Sequence, residues 1–367
     1  MVRWGQFQMD VVKRRRKIRE YLREANAAVF LVLDVDTIRY LTGFSGSDAV
    51  LLIAREEWGE DLFLCDSRYT FQAREEVQKS TVREYRKKLD GIKDALEAAG
   101  VRDVAIEAHI VTLAFFEKLR ESLPEVHLVP LNQSLAGIRA LKEPSELTFI
   151  REAIRVASES FQEVLPRIAA GAEERQIAVE LEYAMRRRGA QRTGFDTIVA
   201  SGDRSALPHW TAGRRKLRPG DLVVVDFGAS VNGYNSDETC TMVVGRPSEE
   251  QEKIHAVVLE AQKRAMHAIR PGVPLAQIDS IARNTIQEAG YGAYFGHGLG
   301  HGVGMNVHEE PQLTPDVEGT IEEGMVFTVE PGIYIPGWGG VRLEHMVAVT
   351  AEGCEILTYL PKSLISC

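Results

Sequence analysis

Residues 220–244 read GDLVVVDFGASVNGYNSDETCTMVV. Two runs rich in β-branched residues flank Asn232-Gly233, a dipeptide that two-residue hairpins favour because both turn positions need a left-handed backbone. A turn centred there pairs Val231 with Tyr234 and Asp226 with Thr239. Asp237 then falls two places from the partner of Asp226, on the same face. Such diagonal neighbours lie roughly 7–8 Å apart at the backbone. Two short carboxylates reaching toward each other across that gap leave room for a metal ion or two. The plain alternative is a pair of solvated acids flanking a turn, but Asp is disfavoured in a strand otherwise made of Val.

At 367 residues, two domains are favoured over one. A net charge of −9 argues against a nucleic-acid partner. The basic run at 13–17 (KRRRK) is local and reads as the wet face of an N-terminal helix. Cys65, Cys240, Cys354 and Cys367 are scattered without a CxxC spacing, which fits free thiols in a reducing compartment. Residues 1–25 are too charged for a signal peptide, and no apolar run approaches the ~20 residues of a membrane span. The expectation is a soluble cytoplasmic protein with no membrane partner.

Residues 1–135 read as a mixed α/β domain. Helices are expected over 9–24 and 90–99, the second with Asp90 as N-cap and Gly100 just past its end. Strands are expected over 27–33, 50–53, 62–65, 104–106 and 126–129, and loops over 40–44 and 66–69. This part shows no cluster of potential metal ligands and no nucleophile–base pair, so its expected role is structural or oligomeric.

Residues 131–142 read as a connector, and a second domain is expected over 136–367. Pro144-Ser145 opens a long helix with one apolar stripe, Leu147, Ile150, Ile154, Ala157, Phe161 and Val164. A second helix is expected over 173–188, ended by Gly189. Another helix pair covers 249–269 and 275–289, ended by Gly290. Gly171 and Gln176-Ile177 recur 101 residues later as Gly272 and Gln277-Ile278, and Gly189 and Gly290 are also 101 apart. A helix–helix–hairpin unit thus occurs twice, which implies pseudo-twofold symmetry and a site at the seam.

The second unit ends in strands expected over 325–335 and 340–350. With the turn centred near Gly337, Glu330 and Glu344 stand directly opposite each other. Like charges so placed repel, and paired acids in both units are readily explained as cation ligands. Between the hairpins, residues 296–308 (GHGLGHGVGMNVH) hold His297, His301 and His308 among five glycines. This stretch fits neither G-x-G-x-x-G nor HExxH. Glycine at alternate positions instead lets a backbone pack closely while the histidines project. His209, after Leu207-Pro208, is a further candidate. Four clustered carboxylates cannot all stay ionised without cations. Two divalent ions balance them, and carboxylates with one imidazole suit Mn²⁺, Co²⁺, Fe²⁺ or Zn²⁺. Two such ions about 3.5–4 Å apart bridge a water and polarise the bond to be cut. From the residues alone, the reading is a dinuclear metal hydrolase.

Asp226, Asp237, His301, Glu330 and Glu344 stand in the contexts VDFGA, GYNSDET, GHGLGHGVG, TVEPGIYIP and GGVRLE. In that order they resemble the five metal ligands of the Xaa-Pro peptidase family. That family comprises aminopeptidase P and prolidase and has the pita-bread fold shared with methionine aminopeptidase. Residues 38–45 (IRYLTGFS) and 66–72 (DSRYTFQ) resemble its N-terminal domain, and residues 195–209 (FDTIVASGDRSALPH) its aminopeptidase P branch. The resemblance implies an α/β (α+β) chain, with a creatinase-like N-terminal domain and a duplicated pita-bread catalytic domain. It implies that Asp237 and Glu344 bridge two metals, that Asp226 chelates one, and that His301 and Glu330 complete the other. Mn²⁺ is preferred, with Co²⁺ or Zn²⁺ as alternatives. A bridging water would attack the peptide carbonyl, Glu330 would carry a proton to the leaving nitrogen, and His308 would stabilise the oxyanion. His209 would hold the substrate near the carbonyl, and His297 and Arg342 near the proline. The substrates would be proline-containing dipeptides or peptides, and the assembly a homodimer. An Xaa-Pro amide has a poor leaving group, so its nitrogen must be protonated as the bond breaks.

Three positions depart from the family's usual pattern. Cys240 replaces an arginine, and the hairpin register turns it away from the site. His345 follows Glu344 where an acid is usual, close enough to perturb metal affinity. Trp210 stands where glycine is common and, if it points inward, narrows the substrate pocket. The main reading is a metal-dependent Xaa-Pro exopeptidase, either aminopeptidase P-like or a dipeptidase. Creatinase lacks the metal ligands, and a catalytically inactive pita-bread binding protein has lost some, whereas all five are present here. Methionine aminopeptidase does not require the large N-terminal domain.

Overall fold

The computed structural model describes residues 10–131 and 135–367. Met9, the expected start of the first helix, and residues 132–134 of the expected connector lie outside them. The chain divides into two compact units, one ending at Ile138 and the other spanning Arg139–Cys367.

The N-terminal unit contains α1 (Val11–Glu24), β1 (Val29–Val32), α2 (Val35–Thr42), β2 (Val50–Ala54), β3 (Leu62–Cys65), α3 (Thr70–Glu76), β4 (Thr81–Glu84), α4 (Lys88–Ala98), β5 (Asp103–Glu107), α5 (Leu113–Ser122) and β6 (His127–Leu131). Its mixed sheet runs β4-β3-β2-β1-β5-β6. Three local expectations need correction. The basic run at 13–17 is not all a wet face: Arg14 and Arg15 are buried in α1, where Arg15 Nη1 pairs with Asp61 Oδ2 at 2.7 Å. Residues 40–42 are not a loop but the end of α2, which Asp34 caps and Gly43 closes. Its polar residues mask an eight-residue helix whose Ile38, Tyr40 and Leu41 face inward. Helix α4 starts earlier than expected. Lys87 occupies its N-cap, and Asp90 lies in the first turn, where its charge suits the helix dipole.

The second unit contains α6 (Pro144–Val164), α7 (Glu174–Arg187), β7 (Arg192–Thr193), β8 (Ile198–Ser201), β9 (Leu222–Phe227), β10 (Ala229–Val231), β11 (Tyr234–Asn235) and β12 (Glu238–Val243). It continues with α8 (Glu249–Ala268), α9 (Leu275–Glu288), β13 (Gly300–Gly302), β14 (Glu309–Leu313), β15 (Val326–Val329), β16 (Gly332–Ile335), β17 (Gly339–Arg342), β18 (His345–Val349), β19 (Cys354–Ile356) and β20 (Ile365–Ser366). The duplication is visible in the backbone: α7 and α9 start 101 residues apart and end 101 residues apart. Both close alike. The N–H after each terminal glycine returns to the carbonyl five residues back, Ala190 to Met185 at 3.1 Å and Tyr291 to Ile286 at 3.0 Å.

Helices α6 and α7 pack on a sheet of order β20-β12-β9-β8, with Phe161 stacked on Phe227 at 4.9 Å. Helices α8 and α9 pack on a sheet of order β14-β13-β15-β18-β19. The first hairpin turns at Asn232 (φ 51°) and Gly233 (φ 80°), and pairs Val231 with Tyr234 and Asp226 with Thr239. The second pairs Gly332 with Arg342 and Val329 with His345, a register centred on Gly337 that sets Glu330 opposite Glu344. Each hairpin is interrupted beside its acids. The first breaks at Gly228 and at residues 236–237, the second at residues 330–331 and 343–344. A Cβ on Gly228 would lie 2.0 Å from the Ser236 carbonyl oxygen, so only glycine permits that crossing. No helix of the described residues is long and apolar enough to cross a membrane.

Candidate metal centre

Strand ends deliver all five expected ligands to one place. Asp226 sits at the end of β9, Asp237 just before β12, His301 within β13, Glu330 just after β15 and Glu344 just before β18. They line a cavity of about 460 Å³ together with His209, His297, His308 and Arg342. All nine residues singled out from the sequence are thus brought together. One ligand atom from each of Asp237, His301 and Glu344 lies within 4.8 Å of the others. His301 Nε2 is 3.2 Å from Glu330 Oε1 and 3.7 Å from Asp237 Oδ2.

Surrounding bonds fix these side chains. His301 Nδ1 lies 3.1 Å from the Gly302 carbonyl. The proton therefore belongs on Nδ1, which leaves the Nε2 lone pair facing the carboxylates. Thr328 Oγ1 accepts from the His301 backbone N–H at 3.1 Å and donates to Glu330 Oε1 at 3.0 Å. A Cβ on Gly300 would lie 2.0 Å from the Thr328 carbonyl oxygen, which explains glycine beside the ligand. Thr239 Oγ1 donates to Glu344 Oε2 at 2.7 Å, and Arg342 Nη2 to Asp226 Oδ2 at 2.6 Å. Among the described residues, Asp226 Oδ1 and Glu344 Oε1 find no hydrogen-bond partner and are buried. Two such oxygens in one cavity carry a full desolvation penalty unless something positive meets them. The donor set fits hard or borderline divalent cations.

The electrostatics agree. Burial, reinforced by Glu344 and Asp226, pushes Asp237 well above the usual carboxylate range. Burial, with Glu330 and Asp226, does the same to Glu344. Asp226 is raised by burial, which Arg342 only partly offsets. Glu330 goes the other way: burial opposes its ionisation, but the hydrogen bond and charge of His301 prevail and bring it to about 2. His301 rises because Glu330 outweighs its burial. The site therefore favours protons on Asp237 and Glu344, and on the His301 Nε2 that otherwise keeps its lone pair. A cation held there would compete with those protons, so its binding would strengthen with pH.

The rest of the cavity is a recognition surface. His297 Nε2 lies 3.0 Å from the Tyr334 hydroxyl, and Arg342 Nη1 donates to the same oxygen at 3.1 Å and to the Pro208 carbonyl at 3.2 Å. The His308 ring centre is 4.1 Å from that of His301, and its pKa is lowered by burial and by that neighbour. His209 is exposed at the mouth. Trp210 does line the cavity. Its indole N–H donates to Glu174 Oε2 at 3.1 Å, and the Arg204 guanidinium lies 4.7 Å from its ring centre. Cys240 is turned away into the core, as its register requires. His345 points to Thr358, with Nδ1 2.7 Å from that hydroxyl, and burial lowers its pKa to about 3. Sequence reasoning missed Thr239, Thr328, Tyr334 and Glu174. Strand alternation from Asp237 and Glu330 would have found the two threonines; nothing local marks Glu174.

Residues 148–351 match metallopeptidase family M24, and residues 14–141 match the creatinase/prolidase N-terminal domain. The chain belongs to metallopeptidase family M24. It is 38% identical over 359 residues to an Xaa-Pro dipeptidase of Pyrococcus horikoshii, covering 97% of this chain and 100% of that one. It is similar to the solved structure of an Xaa-Pro dipeptidase from Bacillus anthracis, with 36% identity, a TM-score of 0.94, and 98% and 100% of the two chains covered. It is also similar to that of an X-Pro aminopeptidase from Thermotoga maritima, with 38% identity, a TM-score of 0.87, and 94% and 99% covered.

Proposed function

We propose that this protein is a dinuclear metal-dependent Xaa-Pro dipeptidase. The hydrolytic reading is carried by the convergence of four carboxylates and His301 around two buried carboxylate oxygens without partners. Specificity for the bond before proline is supported by near-full-length likeness to Xaa-Pro dipeptidases. In this reading Asp226, Asp237, His301, Glu330 and Glu344 would together hold two divalent ions, Mn²⁺ being preferred. When bound, the ions supply Lewis acidity that lowers the pKa of water and polarises the scissile carbonyl.

The chain's own groups do the rest. Glu330 takes the proton of the attacking water and passes it to the imino nitrogen. His308, kept neutral by burial, donates an N–H to the developing oxyanion. His297 and Arg342, locked together through Tyr334, form the face against the proline. His209 contacts the substrate from the mouth, and Trp210 narrows the space to suit a dipeptide. The proposed assembly is a homodimer.

The likeness to an X-Pro aminopeptidase supports a second reading, removal of the first residue from longer peptides. Metal-stripped protein, reloaded with Mn²⁺, Co²⁺ or Zn²⁺, should be given Ala-Pro beside an X-Pro-X-X peptide. Metal-dependent proline release from Ala-Pro, with little cleavage of the longer peptide, is the expected result. Preferential cleavage of the longer peptide selects the second reading, and cleavage of neither rejects both.

A further inference from the structure

We propose that Lys362 is a positioning residue for the metal centre, acting through Glu238; the inference rests on the metallopeptidase reading above. Strand β12 and the residue before it have two working faces. Asp237 lines the cavity, and Thr239, two residues on along the same face, holds the cavity-lining Glu344. Glu238 and Cys240 turn the other way, into closed space, with 1% and 2% exposure. There Glu238 Oε2 accepts from Ser158 Oγ at 2.9 Å, and Glu238 Oε1 accepts from Lys362 Nζ at 2.6 Å. Lys362 Nζ also lies 3.6 Å from Cys240 Sγ. Lys362 is the one cation ion-paired with Glu238 among the described residues.

The segment carrying Lys362 is itself tied to the same strand. Met242 in β12 pairs in parallel with Ile365 in β20. The Cys367 N–H donates to the Val243 carbonyl at 2.8 Å, and the Gly245 N–H donates to the Cys367 carbonyl at 2.6 Å. The end of the chain thus fastens the back of the strand whose front presents the ligands. Removing one partner of a buried pair strands the other charge where water cannot reach it. A Glu238 without its counter-charge is drawn outward toward water, and its strand with it. Because neighbours on a strand alternate faces, any such movement displaces Asp237 on one side and Thr239, hence Glu344, on the other. Charge alone predicts the opposite outcome: removing a nearby cation would tighten metal binding. The sign of the effect therefore separates positioning from simple electrostatics.

The test is Mn²⁺ binding by calorimetry to metal-stripped, full-length protein, with circular dichroism and thermal melts of the same samples. Wild type and Lys362→Arg should bind two equivalents with similar affinity. Lys362→Met should keep native dichroism and bind Mn²⁺ about 10–100-fold more weakly, the usual effect of losing a group that orients a ligand. Cys240→Arg alone should also weaken binding, because it forces a second cation beside Lys362. Combined with Lys362→Met, it should restore affinity to within a few-fold of wild type by placing a guanidinium next to Glu238. Unchanged or tighter binding by Lys362→Met overturns the proposal. So does a double variant no better than Lys362→Met. Should Lys362→Met fail to fold, a double variant that recovers the fold and Mn²⁺ affinity supports the role, and one that recovers the fold without the affinity overturns it. Absence of Mn²⁺ binding by wild type would instead tell against the metal reading.

Discussion

The two halves of the catalytic unit each bury a helix acid, and they use it differently. In the first half Glu174, at the start of α7, lies 3.6 Å from the Arg204 guanidinium and takes its hydrogen bonds from neutral donors. These are the Ser201 backbone N–H at 3.0 Å and its hydroxyl, the Trp210 indole at 3.1 Å and the Gly213 N–H at 3.2 Å. In the second half Asp279, inside α9, accepts from Nε and Nη2 of Arg283, each at 2.8 Å, and from the Leu299 N–H at 3.0 Å. Arg283 then reaches the carbonyls of Phe295 and His297. One acid thus fixes the wall that carries His209 and Trp210. The other fixes the loop that carries His297 and leads to His301. The duplicated scaffold has divided its work: the first half shapes the space a substrate enters and carries His209, and the second supplies His297, His301 and His308.

What the halves share should be the most sensitive point. Asp237→Ala is expected to lower bound metal and to reduce Ala-Pro hydrolysis on the order of 10³-fold or more, since metal catalysis contributes several kcal/mol. Metal analysis beside the peptidase assay checks it, and a fully active, metal-depleted variant would dissolve the shared centre. Next in size, His308→Ala should keep its metal and lose about 10²–10³-fold in kcat, the usual cost of one oxyanion donor.

The halves should also part with pH. The seventh residue of α6 is buried Ile150, whereas that of α8 is buried His255. Burial lowers His255 from 6.5 to about 4. A depressed histidine contributes stability above its unfolded pKa, and that stability is lost as pH falls through the folded pKa. Between pH 7 and pH 5 metal-free wild type should lose about 2 kcal/mol that His255→Ile retains, read from urea midpoints. Equal pH slopes for the two proteins would refute this.

The helix acids sharpen the contrast directly. Asp279→Asn removes the hydrogen-bonded counter-charge of Arg283 and should cost about 1.5–3 kcal/mol, whereas Glu174→Gln, whose neighbouring Arg204 makes no hydrogen bond to it, should cost less. Denaturant melts measure both, and the reverse order would undo the distinction. Last, Trp210→Gly should raise the rate ratio of longer peptide to dipeptide about tenfold, in the range one pocket contact commands, with metal content unchanged. A constant ratio would remove Trp210 from specificity.

Much of this geometry was legible in the sequence because it is local. Asn232-Gly233 and Gly337 each fix a register, and a register fixes which acids face each other. The recurring glycines mark α7 and α9 because helix ends need a residue that tolerates a left-handed backbone. Asp90 misled because an acid suits both an N-cap and a first turn. Continuous strands were expected where the structure breaks them, since β-propensity does not register the crowding of four carboxylates. Glu174, Tyr334 and Lys362 were out of reach for another reason. Glu238 and Lys362 are 124 residues apart, and only the folded chain joins them.

That kind of distance also orders events in time. The bonds that complete the metal centre span 105 residues from Thr239 to Glu344 and 116 from Asp226 to Arg342. Hairpins and helices can form as soon as their own residues exist, but long loops close later. A growing chain that has made Asp226 and Asp237 still lacks Glu330 and Glu344, because synthesis proceeds from the N-terminus. A cation that needs all four carboxylates would therefore find no complete site while the first hairpin forms; it would meet a scaffold already built and act as a late lock.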